Sequence, residues 1–329
     1  MAEILLSPDF QGVKQATAII NPYSSTALQA QRRLRRFTEA AKPYFEVCHR
    51  YTQRDPKYNS NLIRGEAEES DLLVVVAGDG TVNLVVNELT DEELPSEVRF
   101  TPVASLGGGN ADDGHKAKHP KGHRRNPEWI LEDGLFVPTY PIRCEITKSD
   151  DTRQQRSAAF YASFGVTGLM ASPLYLNRPE HRGSLVFGRN KVGRAISEPI
   201  LATRALLRAR EHVVIHNGVE ETIFGDIFAK SHIMAKYGRL ATHLTKREIN
   251  RVTVRYKRLL QIAPAIGKLV RGKMPGEYLR GQDTHDFETT DELWAEFDGE
   301  AMLLEPGTKV SVGIHREPIY VVTTNPELC

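Results

Sequence analysis

The sequence predicts an α/β domain with a parallel sheet, followed by a second, β-rich domain with antiparallel strands. Three observations lead to this fold class. Short apolar segments alternate with amphipathic helical segments up to about residue 137, which is typical of a parallel sheet. Beyond that point, strand-like segments follow one another and are joined by polar turns. The chain of 329 residues also exceeds the size at which a single core usually keeps growing.

The strands of the first domain are predicted from short apolar runs. The third of them reads Leu-Leu-Val-Val-Val, as expected of a strand that is buried on both faces of a parallel sheet. The four predicted strands cover residues 15–20, 45–51, 72–76 and 100–106.

Helices are predicted between these strands from apolar residues at helical spacing. The first helix begins near Thr26, with an apolar face made of Leu28, Leu34, Phe37 and Ala41. The second falls within residues 58–69, and the third runs from Thr81 through Leu89.

The second domain is predicted from segments that favour antiparallel pairing. Residues 139–150 and 154–168 read as two strands joined by a polar turn, and a helix is predicted at 194–210. Further strand-like segments cover residues 211–215, 221–228, 252–254, 293–307 and 309–324. One more helix is predicted at 256–273.

These segments predict two domains. We expect residues 1–137 to form the α/β domain and residues 138–312 to form the β-rich domain. We expect the C-terminal tail, about residues 313–329, to return to the first domain.

Composition limits the partners and the compartment. With 43 Lys and Arg against 42 Asp and Glu, the net charge of +1 gives no reason to expect a nucleic-acid partner. Three scattered cysteines indicate a reducing compartment, and no apolar segment is long enough to span a bilayer. We therefore expect a cytoplasmic protein, in which basic clusters such as residues 115–125 could give peripheral membrane contact. An exposed strand edge would permit a homodimer.

The turn after the third strand carries the strongest chemical signal. Gly78, Asp79, Gly80 and Thr81 separate a buried strand from a helix, and such a turn lets backbone N–H groups and the helix dipole approach a phosphate. A carboxylate beside a phosphate is repelled unless a metal ion or a transferred proton lies between them, so Asp79 indicates metal-assisted phosphoryl chemistry. The alternative is an ordinary Asp-Gly turn in which Asp79 only caps the helix.

Two more polar turns follow predicted strands of the same sheet. Residues 21–24, Asn-Pro-Tyr-Ser, follow the first strand, and residues 107–110, Gly-Gly-Gly-Asn, follow the fourth. Because the carboxyl ends of parallel strands lie along one edge of the sheet, we expect the three turns to converge and to hold a nucleotide triphosphate.

Five segments in this order resemble the catalytic domain of the diacylglycerol kinase family, which includes bacterial lipid kinases and sphingosine kinases. They read INPYSS, VVVAGDGTVNLVVNEL, ASLGGGNADD, SFGVTGLMA and EFDGE, and the similarity runs from about Ala16 to Val322. The resemblance implies ATP and Mg²⁺ as cofactors and a lipid substrate at a membrane surface. It also implies that residues 1–137 bind the nucleotide and that residues 138–312 bind the lipid or other acceptor.

The resemblance also implies roles for individual residues. Asp79 would bind Mg²⁺ and take part in catalysis, together with Asp298 and Glu300 of the FDGE segment. Glu300 aligns with the acid that accepts the proton of the lipid hydroxyl. The residues implied in nucleotide binding are Asn21, Ser24, Thr52, Gly78, Gly80, Thr81, Gly107, Gly109 and Asn110. Without the resemblance, FDGE reads as a type I′ hairpin turn with an exposed glutamate.

Three positions depart from the family pattern. Ala77 replaces a glycine, Gly108 replaces a nucleotide-contacting threonine, and Ala111 replaces an aspartate. The leading hypothesis is an ATP-dependent kinase for a diacylglycerol-like or sphingoid lipid. The alternatives are a kinase of a soluble acceptor, similar to NAD kinases, and an inactive regulator that binds nucleotide or lipid.

Overall fold

The computed structural model describes most of the chain, with several internal gaps. The described residues are 7–24, 26–108, 113–166, 168–169, 210–230, 233–234, 238–239, 247–254, 277–281 and 284–325. The helices predicted at 194–210 and 256–273 lie outside these residues, apart from Arg210. So do the candidate site residues Gly109 and Asn110, and Ala111.

The helices of the described residues lie mainly in the first 133 positions. A 3-10 turn, Pro8–Phe10, comes before them. In chain order the helices are α1 (Ala27–Ala41), α2 (Pro56–Glu69), α3 (Asp79–Leu89), α4 (Ser96–Arg99), α5 (Asp113–Lys118), α6 (Lys121–Arg125) and α7 (Trp129–Asp133).

The first sheet is parallel except at one edge. In spatial order its strands are β2 (Glu46–Tyr51), β1 (Gln15–Ile20), β3 (Leu72–Val76), β4 (Val103–Ser105), β20 (Ile319–Thr323) and β5 (Leu135–Thr139). The first five run parallel and β5 pairs antiparallel with β20. The tail strand β20 therefore lies within the first sheet, between β4 and β5.

Two antiparallel sheets make up the β-rich part. One has the order β10 (Val219–Ile223), β9 (His212–His216), β16 (His285–Thr289), β19 (Lys309–Ile314), β6 (Ile142–Thr147) and β7 (Arg153–Ala158). The other has the order β15 (Glu277–Gly281), β14 (Ile249–Val254), β11 (Gly225–Ala229), β8 (Tyr161–Gly165), β17 (Leu293–Phe297) and β18 (Glu300–Leu304). A short pair, β12 (Ile233–Met234) and β13 (Gly238–Arg239), is separate from both.

The predicted fold class is confirmed: an α/β domain with a mostly parallel sheet is followed by an antiparallel β-rich region. One segment behaves differently from its prediction. Residues 154–168 read as one strand, but the structure divides them into β7 and β8, which belong to different sheets. The chain bends between them at Ala159 and Phe160.

Apolar faces hold the first sheet between two layers. Helix α1 buries Ala30, Leu34, Phe37 and Ala41 against one face of the sheet. The sequence placed Leu28 on this face, which is wrong: Leu28 is 77% exposed. At 3.6 residues per turn it lies about 150° around the helix from the centre of the four buried residues.

The other face of the first sheet continues into the β-rich part. Helix α3 buries Val82, Val85 and Leu89 in a cluster that also contains Phe160 and Ile227. A separate apolar cluster fills the space between the two antiparallel sheets. The domain limits of 1–137 and 138–312 stay a prediction. Within the described residues, no helix has the length and apolarity needed to cross a bilayer.

Candidate active site

The turn after β1 contacts the turn after β3 directly. The Asn21 Nδ2 group donates to Thr81 Oγ1 at 3.1 Å, and Asn21 Oδ1 accepts from the Tyr23 backbone N–H at 2.9 Å. Ser24 Oγ is buried and has no hydrogen-bond partner among the described residues. An unsatisfied buried hydroxyl is costly unless a ligand completes its bonding, so Ser24 is a natural contact for a bound group.

The turn after β3 presents the N-terminus of α3. Gly78 is the residue that precedes the helix, and as a glycine it brings no side chain to cap the first N–H groups. Its carbonyl accepts from the N–H groups of Thr81 and Val82. Asp79 and Gly80 are half-buried in the first turn, where the positive end of the helix dipole favours an anion.

The turn after β4 packs against α1 and β3. Gly107 has a φ of 69°, a conformation that favours glycine, and the Gly108 carbonyl accepts from the Thr26 N–H at 3.0 Å. A Cβ at position 108 would lie 2.9 Å from Ala30 Cβ and 3.1 Å from Ala77 Cα. The threonine of the family pattern would therefore not fit here without displacing α1.

Thr52 lies beside the turn after β1, at the end of β2. Its N–H and its hydroxyl both approach the carbonyl of Ile20, at 2.9 and 3.4 Å, and the residue is 5% exposed. The structure thus brings Asn21, Ser24, Thr52 and the turn after β3 to one edge of the first sheet. Its parallel strands end there, as the sequence predicted.

The FDGE segment forms the tight turn between β17 and β18. Asp298 and Gly299 have φ values of 48° and 88°, and Phe297 pairs with Glu300 across the turn. Positive φ at both central residues is the signature of a type I′ hairpin. The hairpin interpretation and the site interpretation are therefore compatible.

A direct contact links this turn to α3. The Asn83 Nδ2 group donates to the carbonyl of Phe297 at 3.3 Å, one helical turn after Asp79. Glu300 is half-buried at the start of β18. Residues far apart in the sequence, from α3 and from the β17–β18 turn, thus lie side by side.

Asp298 stabilises the corner between β7 and β8. Its Oδ2 accepts from the N–H of Ala159 at 2.6 Å, and its Oδ1 accepts from the N–H groups of Phe160 and Tyr161 at 3.1 and 2.9 Å. These bonds satisfy the backbone where the chain leaves one sheet for the other. The bend, which the local sequence does not predict, therefore depends on Asp298, more than 130 residues away.

The charge state of Asp298 is set by its burial. The residue is 1% exposed, and burial raises the pKa of its carboxyl group to about 8, with the nearby charge of Asp79 acting in the same direction. The three backbone N–H groups act in the opposite direction because they stabilise the carboxylate. The two acids lie on neighbouring elements, since Asn83 of α3 contacts Phe297, the residue before Asp298. The catalytic role of Asp298 stays a prediction.

A fully buried lysine accompanies these two acids. Lys118, the last residue of α5, is 1% exposed, and the charges of Asp79 and Asp298 both act on the pKa of its ammonium group. Lys118 belongs to the basic cluster of residues 115–125, from which peripheral membrane contact was expected. Nothing in its local pattern distinguishes it from the exposed Lys121, so the sequence holds no signal for its burial.

The residues present fit a Mg²⁺-bound triphosphate. The uncapped α3 N-terminus and the Ser24 hydroxyl suit phosphate oxygens, and Asp79 offers a half-buried carboxylate. Mg²⁺ is commonly held by one or two carboxylates together with substrate phosphates, not by a protein cage. Correspondingly, no group of three or more His, Cys, Asp or Glu residues within the described ranges is placed to hold a metal by itself.

Comparisons with known proteins confirm the family resemblance. Residues 15–128 match the family model of the diacylglycerol kinase catalytic domain. This range contains α5 and the turns after β1, β3 and β4. The fold is similar to the crystal structure of a diacylglycerol kinase from Bacillus anthracis str. Sterne, with a TM-score of 0.63, 13% identity, and coverage of 97% of this chain and 99% of that chain.

A second similar structure is that of yeast NADH kinase complexed with NADH. Its TM-score is 0.54 at 13% identity, over 96% of this chain and 85% of that chain. At such identities the likeness shows a shared fold. No curated protein matches the chain.

Proposed function

We propose that the protein is an ATP- and Mg²⁺-dependent lipid kinase, which transfers the γ-phosphate of ATP to the hydroxyl group of a diacylglycerol-like or sphingoid lipid. The observation that carries the proposal is the meeting of the turns. Hydrogen bonds join Asn21 to Thr81 and Thr26 to Gly108, and Asn83 joins the FDGE turn to α3. A kinase-family domain over residues 15–128 supports the phosphotransferase chemistry.

Each residue of the site would have a separate role in the reaction. Backbone N–H groups at the start of α3 and the Ser24 hydroxyl would hold phosphate oxygens, and Asp79 would hold the metal. Bound Mg²⁺ would offset the negative charge of the phosphates during transfer. Glu300 would accept the proton of the attacking hydroxyl as its oxygen bonds to the γ-phosphorus, while the bond from that phosphorus to the bridging oxygen breaks and ADP leaves.

The test removes the charge of each acid while keeping its shape. Asp79→Asn and Glu300→Gln should each lower phosphate transfer to a lipid alcohol by about 10²- to 10⁴-fold, as loss of metal binding or of a general base does. Glu305→Gln, at an exposed glutamate just after β18, is the control and should retain activity. Unchanged turnover in both acid variants, with circular dichroism showing folded protein, would exclude the mechanism.

The acceptor is decided by a second measurement. The structural likeness to NADH kinase favours a soluble acceptor as the alternative. Labelled ATP is therefore supplied with diacylglycerol or sphingosine in mixed micelles, and separately with NAD. Transfer to a lipid supports the proposal, including transient contact with a membrane surface, whereas transfer only to NAD supports the alternative. ATP binding without transfer to any acceptor would indicate an inactive regulator.

A further inference from the structure

Lys118 is a buried cation in the candidate site, and the proposed function gives it no role. Lys118 is 1% exposed, and its ammonium nitrogen lies 5.0 Å from the centre of the Phe160 ring. Burial lowers the pKa of Lys118 to about 8, while the charges of Asp79 and Asp298 act to raise it. Fully buried lysines are rare, and those beside other perturbed groups occur often at functional sites.

The backbone of Lys118 is anchored by the tail strand. Its carbonyl accepts from Thr323 Oγ1 at 2.7 Å and from the Thr324 N–H at 3.1 Å, at the end of β20. The neighbouring His119 contacts Thr324 Oγ1 through Nδ1 at 3.1 Å. Helix α5 thus ends in a fixed position, which leaves the lysine side chain little freedom to leave the interior.

The side chain reaches from the first domain to the β7–β8 corner. Phe160, the ring beside the ammonium group, is in the bend whose N–H groups are bonded by Asp298. Phe160 also packs in one cluster with Val82 of α3. Lys118 therefore lies beside the corner that contacts both α3 and the β17–β18 turn.

Two structural explanations are insufficient for this burial. A cation over an aromatic ring gains about 0.5–2 kcal/mol, whereas burying an ammonium group costs several kcal/mol. Asp298 could act as a counter-ion, but its carboxylate oxygens are already bonded by three backbone N–H groups, and its raised pKa weakens it as a charge partner at neutral pH. Neither contact offsets the cost of burying the ammonium group, so a bound anion would stabilise its charge.

We propose that Lys118 is a further substrate-binding residue, whose ammonium group contacts the terminal phosphate of the bound nucleotide. The proposal rests on the proposed kinase function, because the nucleotide is placed by the turns after β1, β3 and β4. Lys118 keeps its proton and forms no covalent bond. The ammonium group lies beside Phe160, whose N–H is bonded by Asp298 two residues before Glu300, and this is the acceptor side of the site. The phosphate nearest the acceptor is the γ-phosphate, so we expect the lysine to offset its charge more than that of the β-phosphate.

The experiment compares ATP with ADP, since only ATP carries the terminal phosphate. Lys118→Met removes the charge and keeps an unbranched apolar stem, and Lys121→Met, at an exposed lysine three positions later, is the matched control. In calorimetric titrations with Mg²⁺, Lys118→Met should weaken ATP binding by about tenfold or more and ADP binding by about twofold or less. Lys121→Met should change neither.

Equal losses for ATP and ADP, or no loss for either, would overturn the proposal, because a purely structural lysine does not distinguish the two nucleotides. If Lys118→Met fails to fold, Lys118→Gln is compared in the same way, and the same outcomes apply. Activity assays of the unchanged protein separate the two proposals. ATP binding without transfer removes the kinase function and leaves the Lys118 contact standing, whereas no ATP binding at all overturns both.

Discussion

Two buried ionisable residues, Asp298 and Lys118, distinguish the interior of the candidate site. Asp298 forms three hydrogen bonds to the backbone at the β7–β8 corner, and Lys118 lies within the same interior region. Each of these groups is costly to bury, and the carboxyl group of Asp298 is compensated by backbone N–H groups from a distant part of the chain. The site is therefore held together by the same residues that are expected to bind or transform its ligands.

Buried neutral histidines make the protein sensitive to acid. His115 is 3% exposed and its Nδ1 contacts the Ser105 carbonyl at 2.7 Å. Burial lowers the pKa of His115 to about 3, and the charges of Arg33, Arg124 and Lys118 act in the same direction. Between about pH 6.5 and pH 3 the unfolded chain binds a proton at this residue that the native chain does not. Stability should therefore fall as the pH falls through this range.

The variant His115→Asn tests this linkage, since an amide can still donate to the Ser105 carbonyl. The free energy of unfolding, measured by urea denaturation from pH 4 to pH 6, should depend on pH less steeply by about 1.4 kcal/mol per pH unit, the value for one proton. At pH 7.5 the imidazole is neutral in both states, so the variant reports only the loss of packing. A variant with the slope of the unchanged protein would show that His115 already binds its proton in the native state.

At this scale the sequence could predict residue types but not burial. Asn21, Asp79 and Glu300 follow from turn chemistry and from the family resemblance, and the structure places them at neighbouring turns. Lys118 could not be recognised, because its burial results from contacts with β20 and with Phe160, which are 205 and 42 positions away. Local sequence holds no record of such contacts.

At the level of elements, the turn after β4 shows how a glycine sets the spacing of the site. Gly108 lies against Ala30 of α1 and against the Ala77 backbone at the end of β3. Its carbonyl also accepts from the Thr26 N–H at the start of α1. The departures at positions 77 and 108 are thus parts of one packing arrangement, in which the Cβ and the positive φ at 108 both favour glycine.

The substitution Gly108→Ala should separate α1 from the end of β3. The added methyl group meets Ala30 Cβ at 2.9 Å, so we expect a loss of about 1–3 kcal/mol in the free energy of unfolding, as overpacking usually gives. Gly65→Ala in α2 is the matched control: no atom lies within 4 Å of its new Cβ, and it should stabilise the protein by about 0.5–1 kcal/mol. Equal effects of the two substitutions in urea denaturation would contradict this packing.

The elements themselves were mostly predictable, with an instructive exception. The strands and helices of the first domain follow from apolar periodicity because each packs one regular face against the sheet. The division of residues 154–168 into β7 and β8 was not predictable, because residues 158–162 around the bend read Ala-Ala-Phe-Tyr-Ala without a turn signal. The bend is stabilised by Asp298 of a distant turn. The tertiary contact overrides the local preference there.

For the whole molecule, the important feature is how the α/β part and the β-rich part are joined. Helix α3 belongs to both, since its valines pack in one cluster with Phe160 and Ile227. Asn87 of the same helix also binds β7 at the edge of its sheet: its Nδ2 donates to the Ser157 carbonyl at 3.0 Å, and its Oδ1 accepts from the Ser157 N–H at 2.8 Å. One amide side chain thus takes the place of a neighbouring strand.

This pairing predicts that Asn87→Ala weakens the junction of the two parts. Both backbone groups of Ser157 would lose their partner at a partly buried position, which should cost about 2–4 kcal/mol in the free energy of unfolding. Hydrogen exchange at the Ser157 amide should become faster, because that N–H is protected by Asn87. Asn61→Ala, at an exposed position of α2, removes the same side chain from a helix without such a contact, and it should leave both quantities nearly unchanged or slightly raise stability. Normal protection of Ser157 in the Asn87 variant would contradict this pairing and mean that the other contacts of α3, its apolar cluster and the bond of Asn83 to Phe297, hold the two parts together.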